Sequence, residues 1–212
     1  MLRTLATVTI AVLMTLCLAC DRDADPNQQG LELREQGELD AAVETFEDAL
    51  DTWPDNAGLH YNLALTLQDR AQRDDDPASL EEASSHYARA LSLQPEIGRA
   101  HTNRAILLAK LDRDDEALTH YDQALAQDPE DERARTNRAN LYLRHGDHDD
   151  ALAEFERLIA DDPTLWRPHF GAARIHEMRG DDARAKQLAR HAKTLTSDDD
   201  EVALIEAFLA DH

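Results

Sequence analysis

Residues 101–139 read HTNRAILLAKLDRDDEALTHYDQALAQDPEDERARTNRA, and the string HTNRA at 101–105 returns as RTNRA at 135–139, 34 residues later. Between the two strings lie an apolar stretch, a polar turn, a second apolar stretch with an aromatic residue, and a proline. Self-similarity at a fixed period is the sequence signature of a repeat architecture. This stretch therefore predicts a structural unit of 34 residues.

Two series of small residues carry the same period along the chain. The first series is Gly30, Ala64, Ala105, Ala139 and Ala173, with spacings of 34, 41, 34 and 34. The second series is Ala42, Ala83, Ala117, Ala151 and Ala185, with spacings of 41, 34, 34 and 34. One insertion of seven residues, around residues 72–77, accounts for both departures from 34. We expect it to lengthen one or both helices of the second unit, with Asp76 as an N-cap and Pro77 in the first helical turn.

The sequence pattern within each unit predicts two helices joined by a polar turn. Glycine or aspartate in the turn suits the end of the first helix, and the aspartate that follows suits the start of the second. An aromatic residue lies four positions after most members of the second series, on the same helical face, at Phe46, Tyr87, Tyr121 and Phe155. A proline, which lacks the N–H that a helix needs, then ends the second helix at Pro54, Pro95, Pro129 and Pro163.

These positions resemble the tetratricopeptide repeat. The resemblance implies an all-α fold, a right-handed α-solenoid of about five helix hairpins with a C-terminal capping helix. The array would span residues 23–199, with units at 23–56, 57–97 (which holds the insertion), 98–131, 132–165 and 166–199. Residues 200–212 place apolar side chains at helical spacing, and we expect them to form the helix that covers the last core face.

The composition of the chain restricts its partners. Lys and Arg total 22 against 44 Asp and Glu, so the formal net charge is −22. We predict no nucleic-acid partner, because such binding depends largely on cations that neutralise phosphates. Hydrophobic residues make up 42% of the chain, which suffices for a packed core. The acidic surface has two readings, adaptation to a high-salt habitat or docking of a basic partner.

The N-terminus has the pattern of an export signal. Arg3 precedes an apolar run that ends at Ala19, and the chain then turns abruptly polar. As a helix, this run would span about 22 Å, short of the roughly 30 Å hydrocarbon core, so a cleaved signal is favoured over an uncleaved anchor. Both cysteines, Cys17 and Cys20, lie in this segment, so the body contains no disulfide framework or thiolate site.

The break at Leu18-Ala19-Cys20 resembles the lipobox of bacterial lipoproteins. The resemblance implies that residues 1–19 are a lipoprotein-type signal peptide, that Cys20 is lipidated, and that residues 20–29 form a tether. The protein would then be anchored by lipid in the bacterial cell envelope and face the periplasm, with inner and outer membrane both open. The alternative is cleavage after Ala19 by the ordinary signal peptidase.

The sequence offers no catalytic constellation. It contains no HExxH, glycine-rich phosphate loop or GxSxG motif, so we predict no enzyme, no cofactor, no metal site and no small-molecule substrate. His60, His101 and His169 share the fourth position of the repeat frame, where the resemblance implies packing between helices. His145 and His148 flank an exposed turn, and we interpret them as solvated.

The resemblance also implies a binding groove, lined by the first helix of each unit at frame positions 2, 5, 6, 9 and 12 to 13. The polar candidates at these positions are Asn62, Arg99, Asn103, Arg133, Asn137, Asn140, Arg167 and Arg174. Asparagine pairs with both groups of a peptide unit, and arginine holds a carboxylate, so we predict binding of an extended peptide. The alternative is that the arginines pair with carboxylates of the chain itself.

The NRA strings resemble those of chaperone-binding repeats that clamp a C-terminal carboxylate. Tyr61, Leu65 and Asn137 replace residues that such a clamp needs, so general peptide binding is the better prediction. We expect a protein–protein interaction scaffold of the cell envelope, similar to pilotins and pilus assembly factors. One alternative is a module that presents unfolded polypeptide to a separate periplasmic enzyme, and another is the regulatory part of an enzyme whose catalytic half lies on another chain.

Overall fold

The computed structural model describes residues 25–210, and this range contains eleven helices and no strand. The helices are α1 (Pro26–Glu35), α2 (Leu39–Thr52), α3 (Ala57–Asp74), α4 (Pro77–Leu93), α5 (Gly98–Lys110), α6 (Asp114–Gln127), α7 (Glu132–His145), α8 (His148–Asp161), α9 (Trp166–Met178), α10 (Asp182–Leu195) and α11 (Asp199–Ala210). The predicted signal peptide, Cys20 and the last two residues of the chain lie outside the described residues.

The insertion lengthens both helices of its hairpin. Helix α3 has 18 residues and α4 has 17, whereas the other described helices have 10 to 14. The carboxylate of Asp76 accepts hydrogen bonds from the N–H groups of Ala78 (3.0 Å) and Ser79 (3.3 Å), and Pro77 is the first helical residue. The predicted capping is therefore confirmed.

The turns within hairpins use left-handed backbone to stop the first helix. Gly146 ends α7 with φ 85°, a conformation that glycine adopts without a steric penalty. The chain then turns back, and the N–H of Asp147 donates to the carbonyl of Tyr142 at 2.9 Å. This closure lets α8 start two residues after the glycine.

The chain forms two compact units that divide between Pro95 and Glu96. In the first unit (α1–α4) and in the second (α5–α11), each helix packs against the next along the chain. The first helices of neighbouring hairpins also touch, α1 with α3, α5 with α7, and α7 with α9. The predicted core aromatics are fully enclosed in these units, at Phe46, Tyr87, Tyr121 and Phe155.

Helix α11 covers the end of the second unit. Its Ile205 is fully buried, and its Phe208 ring meets Phe170 of α9 edge to face, with centroids 5.4 Å apart. Ala189 of α10 occupies the position that holds an aromatic residue in the other hairpins and is itself fully buried. The apolar side chains of α11 therefore help to fill a core in which α10 supplies only a methyl group at that position.

The histidines at the fourth frame position are packed between helices, as predicted, since His60, His101 and His169 are all buried. Nε2 of His60 lies 3.0 Å from the carbonyl oxygen of Pro54. A carbonyl only accepts, so Nε2 of His60 carries a hydrogen. Nδ1 of His60 lies 3.0 Å from Nδ1 of His86 of α4, so one of these two atoms donates a hydrogen bond to the other.

A candidate peptide-binding cleft

The second unit contains a cleft of about 240 Å³ between α5 and α7, which we name the α5–α7 cleft. It is lined by Ile106, Ala109, Lys110, Tyr121, Asn137, Asn140, Leu141 and Arg144. Helices α5 and α7 are the first helices of successive hairpins, so the cleft lies on the face that the repeat frame assigns to binding.

The apolar part of the cleft consists of packed side chains. Leu141 and Tyr121 are almost fully buried, and Ile106 is half-buried. Burial raises the pKa of the Tyr121 hydroxyl above its ordinary value, so this group stays neutral at physiological pH. The floor of the cleft is therefore apolar and uncharged.

Two cations stand where α5 and α7 end. Arg144 forms an ion pair with Asp114, and its Nη2 also donates to the carbonyl of Ala109 at 3.3 Å. Asp114 also lies 2.6 Å from Nε2 of His145. Lys110 is exposed and has no ion pair or hydrogen bond with any residue from 25 to 210. The helix C-terminus favours a cation at this place, and Lys110 remains available to an anionic ligand group.

Two of the predicted site residues line the cleft, Asn137 and Asn140. Nδ2 of Asn137 donates to the carbonyl of Arg133 in its own helix at 2.7 Å. Asn140 is exposed, and its amide has no partner in the described part of the chain. Asn140 therefore offers both a donor and an acceptor to a bound peptide.

The other asparagines of the predicted strip bond within the chain. Asn103 is only 4% exposed, and its Oδ1 accepts a hydrogen bond from Nη1 of Arg133 at 2.9 Å. In the first unit, Nδ2 of Asn62 donates to Oδ1 of Asn27 at 2.7 Å. Asn103 thus positions the Arg133 guanidinium and does not itself face solvent.

The three remaining predicted arginines differ in their surroundings. Nη2 of Arg167 lies 2.6 Å from Oε1 of Glu201, and its guanidinium carbon lies 4.8 Å from the centroid of the Trp166 ring. Arg99 and Arg174 are exposed and make no ion pair or hydrogen bond within residues 25–210. Arg167 therefore forms an ion pair within the chain, whereas Arg99 and Arg174 remain available to a ligand.

Sequence reasoning did not single out Lys110 and Arg144. Both occupy position 13 of the repeat frame, one of the positions that the resemblance assigned to the groove. Position 13 falls in the last turn of α5 and α7, so the repeat frame alone is enough to identify both residues as candidates.

Neither a metal centre nor a membrane span is found in the described residues. Between residues 25 and 210, no group of three or more His, Cys, Asp and Glu side chains is arranged to hold a metal ion. None of the helices in that range is both long enough and apolar enough to cross a bilayer.

Solved structures with a similar fold include YrrB, MamA and PilW. YrrB is 19% identical with a TM-score of 0.72, and the match covers 92% of this chain and 97% of YrrB. MamA is 19% identical with a TM-score of 0.71, over 78% of this chain and 87% of MamA. PilW is 22% identical with a TM-score of 0.66, over 83% of this chain and 79% of PilW. None of the curated proteins compared with the chain matches it.

Two family models also match. The model described as "TPR repeat" matches residues 30–69 and 107–146, and the model described as "Tetratricopeptide repeat" matches residues 136–200. The predicted fold class is therefore confirmed as a solenoid of tetratricopeptide hairpins. Repeats of this kind are in general non-catalytic surfaces for protein or peptide partners. The matched residues extend over more than half of the sequence, and the chain belongs to the tetratricopeptide repeat family.

Proposed function

We propose that this protein is a non-catalytic scaffold that binds an extended peptide segment of a partner in the α5–α7 cleft. The observation that carries the proposal is the combination, in one cleft, of an apolar floor with the Asn140 amide and the Lys110 ammonium, neither of which has a partner among residues 25–210. Amide and ammonium groups recognise a peptide backbone and a carboxylate. Arg99 on α5 and Arg174 on α9 would extend the contact beyond the cleft.

The size of the cleft favours a peptide over a small-molecule ligand. Sites for whole small molecules occupy roughly 300–1,000 Å³ and enclose most of the ligand. At about 240 Å³, the α5–α7 cleft fits one or two side chains of an extended chain that runs over the surface. We therefore expect short motifs with an apolar residue near an acidic one.

Two structural neighbours support the proposal, one through peptide binding and the other through a role in assembly. YrrB is described as a TPR protein with an unusual peptide-binding site, and PilW as a type IV pilus biogenesis factor. We extend this to a scaffold of the cell envelope whose signal peptide spans residues 1–19 and whose lipid anchor is at Cys20, with the repeats at residues 23–199. A scaffold tethered at its N-terminus would hold bound partners near the membrane.

Peptide selection tests the binding site. Random peptides displayed on phage are selected on the purified protein, and the affinity of a selected peptide is then measured by calorimetry. Asn140→Ala and Lys110→Ala should each weaken binding by about threefold to tenfold, since each removes an interaction of about 1 kcal/mol. Arg157→Ala, which removes an exposed arginine on α8, is the matched control and should bind like the wild type. Equal affinities in all four proteins would remove the cleft from the proposal.

Cell fractionation tests the anchor separately. Cys20→Ser should move the protein from the membrane fraction to the soluble periplasmic fraction, because it removes the acylated thiol. Cys17→Ser is the control, since it changes the other cysteine of the same segment and should leave the protein in the membrane. Retention of the Cys20→Ser protein in the membrane would show that acylation at this residue does not hold it there.

A further inference from the structure

Trp53, directly after α2 in the first unit, is the exposed exception among the aromatic side chains. All ten aromatic residues of the chain fall within residues 25–210, and the other nine are buried or half-buried. Trp53 is 49% exposed and lines two clefts. One cleft, of about 540 Å³, is also lined by Pro54, Asp55 and Gln94. The other is smaller, about 130 Å³, and includes Asp25.

The repeat gives no structural reason for a tryptophan at this position. The equivalent residues of the later units are Gln94, Asp128, Asp162 and Thr196. Three of these accept a hydrogen bond from the N–H two residues further on, at 3.0 Å for Asp128, 2.8 Å for Asp162 and 3.2 Å for Thr196. An indole has only a donor, so Trp53 cannot make this bond. A departure from the local rule without a structural gain is expected at functional positions.

The other tryptophan of the chain shows what such a ring can hold. The guanidinium carbon of Arg167 lies 4.8 Å from the centroid of the Trp166 ring, within the range of a cation–π contact. No cation of residues 25–210 covers Trp53 in this way. The ring face of Trp53 is therefore available to a cation from outside the described chain.

The charges around Trp53 favour such a cation. Asp55 lines the larger of the two clefts and Asp25 the smaller, and Trp53 lines both. Asp25 caps α1 by accepting from the N–H of Asn27 at 3.1 Å, and Asp55 forms an ion pair with Arg89. A carboxylate has room for about four hydrogen bonds, so both can accept further donors. The net charge of −22 attracts basic partners to the surface as a whole.

We propose that Trp53, with Asp25 and Asp55, forms a docking site for an arginine side chain of a partner protein. The guanidinium would stack on the indole and donate to the flanking carboxylates. Arginine is favoured over lysine, because its planar group both stacks on a ring and donates in a fork. This site lies in the first unit and is independent of the α5–α7 cleft.

Tryptophan fluorescence of the full chain tests the proposal. Trp166→Phe leaves Trp53 as the single reporter, and the probe is a hexa-arginine peptide with blocked ends. We expect a saturable change in Trp53 emission and weaker binding of hexalysine. In calorimetry, Trp53→Leu should bind hexa-arginine about fivefold more weakly than the wild type does. The affinity of Trp53→Phe should lie between those of the wild type and Trp53→Leu. Met178→Ala, which removes another exposed apolar side chain, is the matched control and should bind as the wild type does.

Two results would overturn the proposal. If Trp53→Leu and the wild type bind hexa-arginine equally, and high salt abolishes both, the attraction comes from net charge alone. If Arg22→Ala changes the Trp53 emission of the free protein as much as the peptide does, the ring is already covered by the chain's own N-terminal segment. Far-UV circular dichroism of each variant confirms that its helices are intact.

Discussion

Replacing Gly171 with alanine should destabilise the second unit, although alanine favours helix. A Cβ atom at Gly171 would lie 2.4, 2.6 and 2.8 Å from ring carbons of Phe155, about 1 Å closer than carbon atoms normally approach. Phe155 is 1% exposed, so its ring cannot swing out to relieve the overlap. Overpacking of this kind costs about 2–3 kcal/mol. Helix propensity offsets about 1 kcal/mol, so we expect a net loss of about 1–2 kcal/mol.

Urea denaturation followed by far-UV circular dichroism measures this loss as a lower midpoint. Gly98→Ala is the matched control, because the nearest neighbour of its Cβ would be Oε1, the far end of the Gln127 side chain, at 3.3 Å. Phe155→Leu removes the ring carbons that the new methyl group would meet. The double variant Phe155→Leu/Gly171→Ala should therefore lose less free energy of unfolding than the two single variants lose together. A midpoint for Gly171→Ala at or above that of the wild type would refute the reasoning.

Three further predictions concern stability. Gly30→Ala should cost about 1–2 kcal/mol in the urea assay, because its Cβ would lie 2.5 Å from a fully buried ring carbon of α2. Arg138→Met should cost about 3 kcal/mol by leaving the Glu154 carboxylate, 13% exposed, without its closest cation. Adding Glu154→Met should recover part of that loss, and a further loss would contradict this account. Burial lowers the pKa of His86 and His120 to about 4, below the 6.5 of a free imidazole. Between pH 4 and pH 6.5 the unfolded chain therefore binds more protons than the folded chain. The contribution of these histidines to the free energy of unfolding is complete above pH 6.5 and falls as the pH is lowered toward 4. At about pH 5 the loss should be about 1 kcal/mol per histidine after allowance for solvent. Replacing both histidines by glutamine should reduce the change in urea midpoint between pH 7 and pH 5.

Most of the fold follows from local sequence features. The period located the hairpins, and features such as Asp76 before Pro77 placed the start of a helix because capping is decided within a few residues. Enclosure of aromatics such as Tyr121 also follows from the period, since residues four apart share a helical face. Even the lengthened helices at the insertion could be predicted, because the added residues do not disrupt the hairpin.

The binding residues were less predictable, because a frame position gives the direction of a Cβ atom and not the end of a long side chain. Arg133 lies on the predicted face, yet its guanidinium turns back to the buried Asn103. Arg167 reaches Glu201, 34 residues away, on a helix outside the repeat frame. The pairing of His60 with His86 was hidden for a similar reason, since it joins residues 26 apart on different helices.

The fourth position of the hairpin shows how one requirement of the repeat admits different chemistry. After the second helix ends, the proline carbonyl needs a donor, and the side chain six residues later supplies it from His60 (3.0 Å), Arg135 or His169 (3.1 Å). The neighbour on the second helix then follows the chemistry of the donor, because the imidazole of His60 meets that of His86 whereas the guanidinium of Arg135 lies near Glu154. Packing and hydrogen bonding therefore explain these histidines without a metal ion. Function is better sought where a side chain departs from its equivalents in the other hairpins, as at the exposed Trp53 after α2, whose ring is covered by no cation of residues 25–210.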